Sequence, residues 1–155
     1  MPMEARMSRK RTGYTRQTKT SDPGGNEQWA IDSTYVQDWI DSLDNRTLEQ
    51  LQKPFELLQE RGPTLGAPYA KPIVLKTGKS DLLELRAKIG KEVALRVLYT
   101  WENGVALLLY GGDKAGKWKR WYPSAIRIAT ERKQEYEINR EKERLREMEA
   151  YKHDL

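Results

Sequence analysis

The stretch Glu92–Gly112, EVALRVLYTWENGVALLLYGG, decides the fold. Val93, Leu95, Val97 and Tyr99 alternate with Ala94, Arg96 and Leu98, which is the two-residue period of a half-buried strand. Asn103-Gly104 then marks a tight hairpin turn, because both residues tolerate the positive φ angles such a turn demands. Val105 to Tyr110 is apolar throughout, as expected for a strand covered on both faces at the centre of a sheet, and Gly111-Gly112 reads as its end.

Upstream, Leu83 and Leu85 alternate with Glu84 and Arg86, giving a strand over Leu82–Ala87 that Arg86 closes. With a further strand near Ile73, the whole is an antiparallel meander. Thr64–Pro72, which contains Gly66, Pro68 and Pro72, reads as a loop. Before it the period is helical. Tyr35, Val36, Trp39, Ile40 and Leu43 form one apolar stripe after a possible cap at Asp32 or Ser33. Leu48, Leu51, Phe55 and Leu58 form a second, starting at Asp44 or Asn45, with Pro54 expected to kink it and Gly62-Pro63 to stop it. The two make a helical hairpin, preceded by a short strand over Gln28–Ile31. Downstream, Pro123 is expected in the first turn of a long, charged terminal helix with a modest apolar face at Ala125, Ile126, Ala129 and Tyr136.

The fold class is therefore α+β: a helical hairpin on a small, mainly antiparallel sheet, with a long C-terminal helix. Residues 1–26 are basic and nearly free of aliphatic side chains, so they read as a disordered tail, either a weak electrostatic arm or a plain solubilising segment. Residues 27–136 form the folded domain and 137–155 a charged helical extension.

The 155 residues carry 28 Lys and Arg against 23 Asp and Glu, a surplus that favours a polyanionic partner. There is no cysteine, which excludes disulfides, thiolate zinc sites and a cysteine nucleophile. The only histidine is His153, so a Ser-His-Asp arrangement or a histidine zinc site has nothing to build on. Phosphate-binding and dinucleotide loops are missing, and Asp113 has no second carboxylate at suggestive spacing. No metal or organic cofactor is expected. No apolar run approaches the roughly 20 residues of a membrane span, and none follows the basic N-terminus as a secretory signal requires. These features set the expectation of a cytoplasmic protein without a membrane partner.

Two sets of cations are candidates for function. Arg86 and Arg96 lie on strands, where a guanidinium either grips phosphate oxygens or is one half of a salt bridge with Glu84 or Glu92. The second set is the run GDKAGKWKRWY, Gly112 to Tyr122. Its Lys114, Lys117, Lys119 and Arg120 can neutralise phosphates. Trp118, Trp121 and Tyr122 either stack on splayed bases or cover the core. Lys71 and Lys76 extend the basic surface upstream.

The order of short motifs resembles a known family. Trp39-Ile-Asp-Ser-Leu-Asp44, Leu57 to Tyr69 (LLQERGPTLGAPY), Leu83-Glu-Leu-Arg86, Leu95-Arg-Val-Leu-Tyr99, Ala106 to Lys114 (ALLLYGGDK) and Lys117-Trp-Lys-Arg-Trp-Tyr122 together resemble the phage-derived, HigB-like branch of the RelE/ParE toxins, over about Gln28 to Tyr136. The resemblance implies the toxin half of a type II toxin–antitoxin pair that cleaves mRNA, usually on the ribosome, and inhibits translation. It also implies a cognate antitoxin, of helix-turn-helix type, that masks the basic face. Arg86, Arg96 and Lys114 match the family's cationic positions. Some HigB-type members place histidines beside the scissile phosphate, and this chain has none in the domain; RelE-type members manage with Lys, Arg and Tyr. On this reading Arg86 and Arg96 hold the phosphate, Lys114 or Lys119 serves as base, and Tyr122 stacks a base or helps move a proton. Lys71, Lys76, Lys117, Trp118, Lys119, Arg120 and Trp121 are the expected RNA contacts. The alternatives are a ParE-like inhibitor of DNA gyrase and a non-catalytic phage-derived protein that binds nucleic acid or another protein.

Overall fold

The computed structural model describes residues 19–21, 27–89, 93–114 and 118–154. The strands are β1 (Lys19–Ser21), β2 (Glu27–Asp32), β3 (Ala70–Leu75), β4 (Gly78–Ile89), β5 (Val93–Glu102) and β6 (Val105–Asp113). They form one sheet in the order β1-β2-β6-β5-β4-β3. All neighbours pair antiparallel except β2 and β6, which run parallel with Ala30 opposite Val105. Strand β2 thus extends the sheet beyond the meander, with β1 at its edge, and β6 has a neighbour on each side. Its residues Val105–Leu109 are all buried.

The β5–β6 turn is the one that its sequence specifies: Asn103 has φ 49° and Gly104 φ 78°. Gly111-Gly112 does not end β6, which runs on to Asp113. The glycines serve the two faces instead. A methyl group on Gly111 would collide with the Trp39 ring, and one on Gly112 would lie 2.6 Å from Trp121 Nε1. Other boundaries also differ from the expectation. β3 opens at Ala70, inside the expected loop. β4 extends past Arg86 to Ile89, so Arg86 is an interior residue of a 12-residue strand.

The hairpin begins with a 3-10 turn, Thr34–Val36, where Asp32 Oδ1 accepts from the Thr34 N–H at 3.0 Å. It continues as α1 (Gln37–Asp41) and α2 (Asn45–Arg61). Asp44 caps α2 by accepting from the Thr47 N–H at 2.7 Å. That backbone bond holds the Asp44 carboxyl below its usual range. Helix α2 is continuous through the buried Pro54. Gly62, with φ 57°, ends it under the Trp29 ring.

Helix α3 spans Trp118–Asp154 and covers the other face. It starts five residues before Pro123, which therefore sits a turn inside, where it cannot donate to the Lys119 carbonyl and its ring crowds that carbonyl. The sheet separates two cores. Leu85, Leu95, Val97, Tyr99 and Leu108 meet the hairpin through Ile40, Leu51 and Leu58. Leu82, Leu98, Leu107 and Leu109 meet α3 through Ala125 and Ala129. Strand alternation thus assigns each residue of β4 and β5 to one helical layer.

Charged contacts fix the orientation of α3. Arg132 donates from Nη1 to the carbonyls of Leu109 at 2.7 Å and Tyr35 at 3.2 Å, and lies over the Tyr35 and Tyr110 rings. Lys133 bonds Asp81 at 3.0 Å, and Arg140 reaches Glu102 and the side-chain amide oxygen of Asn103 at the β5–β6 turn. From Glu141 to His153 every residue is exposed. Among the described residues no helix is long and apolar enough to cross a membrane.

Gly111→Ala should cost about 1–3 kcal/mol in urea unfolding, because the Trp39 ring has to move. Removing residues 142–155 should change unfolding stability by no more than about 0.5 kcal/mol, since residues 142–153 are exposed.

Candidate nucleic-acid interface and active site

The α3-facing side of the sheet is apolar only where the helix covers it. On β4 the series Leu82, Glu84, Arg86 shares that face, and on β5 Leu98 is followed toward the strand's start by Arg96. In the ladder Arg86 lies directly opposite Arg96, and Arg96 opposite Gly112. Because Gly112 has no side chain, Trp121 of α3 settles over it, and the next residue, Tyr122, reaches across to β4. The helix start therefore meets the two arginines.

Glu84 is at the centre. It is 5 % exposed and opposes Lys71 on β3 and Leu98 on β5. Its Oε2 accepts from the Tyr122 hydroxyl at 2.6 Å. Its Oε1 lies 2.8 Å from Arg96 Nε and 3.4 Å from Arg86 Nε. The Arg96 Nε–H is sealed from solvent and is not aimed along the short line to Oε1, so that contact is an ion pair without a hydrogen bond. Arg96 also donates from Nη1 to the Leu95 carbonyl at 2.8 Å. One carboxylate thus holds two guanidinium groups and a phenol.

The two arginines are not equivalent. The Arg96 side chain is 9 % exposed, whereas that of Arg86 is 36 % exposed. A ligand approaching from solvent meets Arg86 first, while Arg96 acts within the protein as the partner of Glu84. Of the two sequence readings of the strand cations, the salt bridge is the one seen: both arginines pair with Glu84, and they face the connection to α3.

Lys114, just past β6, is anchored by its N–H to the Ala94 carbonyl at 3.0 Å. Its Nζ lies 3.3 Å from the Tyr122 hydroxyl and 5.3 Å from the ring centroid. Burial and then the Arg96 charge push the Lys114 ammonium below its usual value; Arg86 and Lys71 add to this, and Glu84 opposes it. Burial, helped by the Glu84 hydrogen bond and charge, raises the Tyr122 phenol to about 12. The phenol is neutral at physiological pH. It donates to Glu84 and accepts from Lys114.

The remaining candidates divide by position. Lys71 is exposed and next to the cluster. Lys76 is exposed at the β3–β4 turn, five residues or about 16 Å along the strand from Lys71, and the fold does not bring it to the site. Arg120 is exposed in the first turn of α3. Trp121 is partly buried, edge-on to Tyr122 at 5.1 Å and tilted against Tyr110 at 5.9 Å, so much of its ring packs on protein. Lys117 lies outside the described residues. Trp118 and Lys119 are described only as helix backbone. Among the described residues no group of three or more His, Cys, Asp or Glu stands together as a metal site.

Sequence reasoning treated Glu84 only as a possible salt-bridge partner. The signal was in the strand period: two residues before Arg86, it shares the arginine's face.

Comparison with known proteins identifies the family. The family described as phage derived protein Gp49-like (DUF891) matches residues 38–134. Two Mycobacterium tuberculosis proteins bear the names of candidate toxins. HigB3 is 33% identical over 102 residues, covering 65% of this chain and 86% of the relative. HigB2 is 32% identical over 104 residues, covering 66% of this chain but only 51% of the relative. No solved structure gives a significant match. The chain belongs to the phage-derived Gp49-like family and, with it, to the HigB-like branch of the RelE/ParE toxin superfamily.

Proposed function

We propose that this chain is the toxin of a type II toxin–antitoxin pair and cleaves ribosome-engaged mRNA without a metal, arresting translation. Kinship with HigB proteins supports the toxin role and, with it, a cognate antitoxin partner. The observation that carries the nuclease reading is the convergence of Arg86, Lys114 and Tyr122, partly open to solvent, around the Glu84–Arg96 pair.

The chemistry needs only the substrate, these side chains and water. Arg86, assisted by Lys71, binds the non-bridging oxygens of one phosphodiester, where a guanidinium matches both geometry and charge. The neighbouring ribose 2′-oxygen bonds to phosphorus while the bond to the 5′-oxygen breaks. The 2′-hydroxyl proton passes to the neutral amine of Lys114, and the 5′-oxygen takes a proton from solvent. The products are a 2′,3′-cyclic phosphate and a 5′-hydroxyl. Burial and then the cations around Lys114 favour its neutral form, which suits it to act as a base. Arg120 and the start of α3 line the approach for the flanking strand.

Mapping of mRNA ends during cell-free translation tests the reading. The wild type should generate new 5′-hydroxyl ends, and Arg86→Ala should lower cleavage by roughly 100-fold. Inhibited DNA supercoiling by gyrase without any cleavage would replace the reading with the ParE-like one. Stability should divide the arginines in the opposite sense. Arg96→Ala leaves Glu84 buried beside a lost partner and should cost about 3–5 kcal/mol in chemical denaturation. Arg86→Ala removes a partly exposed contact and should cost no more than about 1 kcal/mol. Lys114→Arg keeps the charge but cannot accept a proton near neutral pH; it should retain RNA binding by filter assay while cleavage falls by at least about 100-fold.

A further inference from the structure

The carboxylate at the centre of the site is not one of the groups the proposed cleavage uses, and its geometry gives it a separate task. Glu84 accepts from Tyr122 at 2.6 Å, and the same hydroxyl lies 3.3 Å from Lys114 Nζ. A phenol has one proton to give. With that proton directed to the buried carboxylate, the phenol can meet Lys114 only with its lone pairs. We propose that Glu84 is a positioning residue that, through the orientation it imposes on Tyr122, sets the proton state of Lys114. The proposal deepens the nuclease reading and assigns the reaction's titrating group to Lys114 rather than Tyr122.

The surroundings leave Glu84 as the balancing charge. Lys114 is faced by Arg86 and Glu84 from β4, Arg96 from β5, Lys71 from β3 and Tyr122 from α3. The adjoining Asp113 places Oδ1 on the Ala94 N–H at 3.0 Å. Burial and three cations favour a neutral amine, and Glu84 opposes them. Tyr122 is held neutral by burial and by Glu84, so it relays an orientation rather than a charge. Glu84 therefore acts in two ways on one lysine: by its field and by turning an acceptor toward the ammonium. Both favour the protonated form.

The sign of the effect follows. Replacing the carboxylate by an amide removes the field that opposes the cations, so Lys114 loses its proton at lower pH. Replacing the phenol by a phenyl ring removes the acceptor and shifts the titration the same way. The full-length protein, labelled with 13C at lysine, is titrated by NMR, and Lys114 is identified through the Lys114→Arg spectrum. The Lys114 midpoint should lie at lower pH in Glu84→Gln and in Tyr122→Phe than in the wild type. The acid limb of the pH–rate profile for RNA cleavage should move with it. A midpoint unchanged in either variant that folds overturns the proposal. If Glu84→Gln fails to fold because Arg96 loses its counter-charge, Tyr122→Phe, at the partly exposed rim, decides the matter alone. A wild type that cuts no RNA would defeat the nuclease reading, while the NMR midpoints still decide whether Glu84 governs Lys114.

Discussion

A buried ion pair between strands β4 and β5, Glu84 with Arg96, organises the site half of the molecule. Removing two charges from water costs several kcal/mol, and the attraction between them offsets this only when the geometry is good and the remaining polar atoms find partners. Here the Leu95 carbonyl accepts from Arg96 Nη1 and Glu84 accepts from the Tyr122 hydroxyl, while the Arg96 Nε–H has only the ion pair. The second contact ties the pair to helix α3. Where the helix begins, and which way its first turns face, is thus linked to a charge pair inside the sheet. A well-packed apolar pair could hold the two strands together equally well. It would not hold a phenol against a lysine beside an exposed guanidinium.

Most of the fold was legible because it rests on local rules. The two-residue period around Arg96 and the Asn103-Gly104 turn mark β5 and β6 and set their register near the turn, while a shift between Leu98 and Tyr99 resets it before Arg96 meets Gly112. The stripes through Ile40 and Leu58 determine the hairpin. What escaped the sequence was non-local. Nothing in Gln28–Ile31 says that its partner is β6 and that the pairing is parallel. Gly111 and Gly112 look like punctuation, since glycine usually marks a turn. Their role emerges only once Trp39 and Trp121 approach from opposite faces. Pro123 was misplaced for a similar reason: its usual position at a helix start hid the turn that precedes it.

The candidate site was legible in outline and not in rank. The cations Arg86, Arg96 and Lys114 were identified by residue type, and the sheet brings them onto one face. Sequence could not say that one arginine is nearly enclosed and the other open, because burial depends on where Trp121 and Tyr122 settle. Nor could it place a carboxylate at the middle of a basic cluster, although Glu84 stands two residues from Arg86. Lys76 illustrates the converse: it is basic and close in sequence, but the strand carries it to the far end of the hairpin.

The parallel pairing of β2 with β6 has a consequence for the order of events at birth. Ala30 finds its partner in Val105, 75 residues later in the chain. At ordinary elongation rates that interval is about 4–15 s. Through this time the N-terminal strand and the hairpin wait without the central strand of the sheet. Tyr122, which joins the cluster last, emerges later still. A nascent chain therefore carries its cations well before it can arrange them, and the assembled face exists only once Tyr122 has emerged.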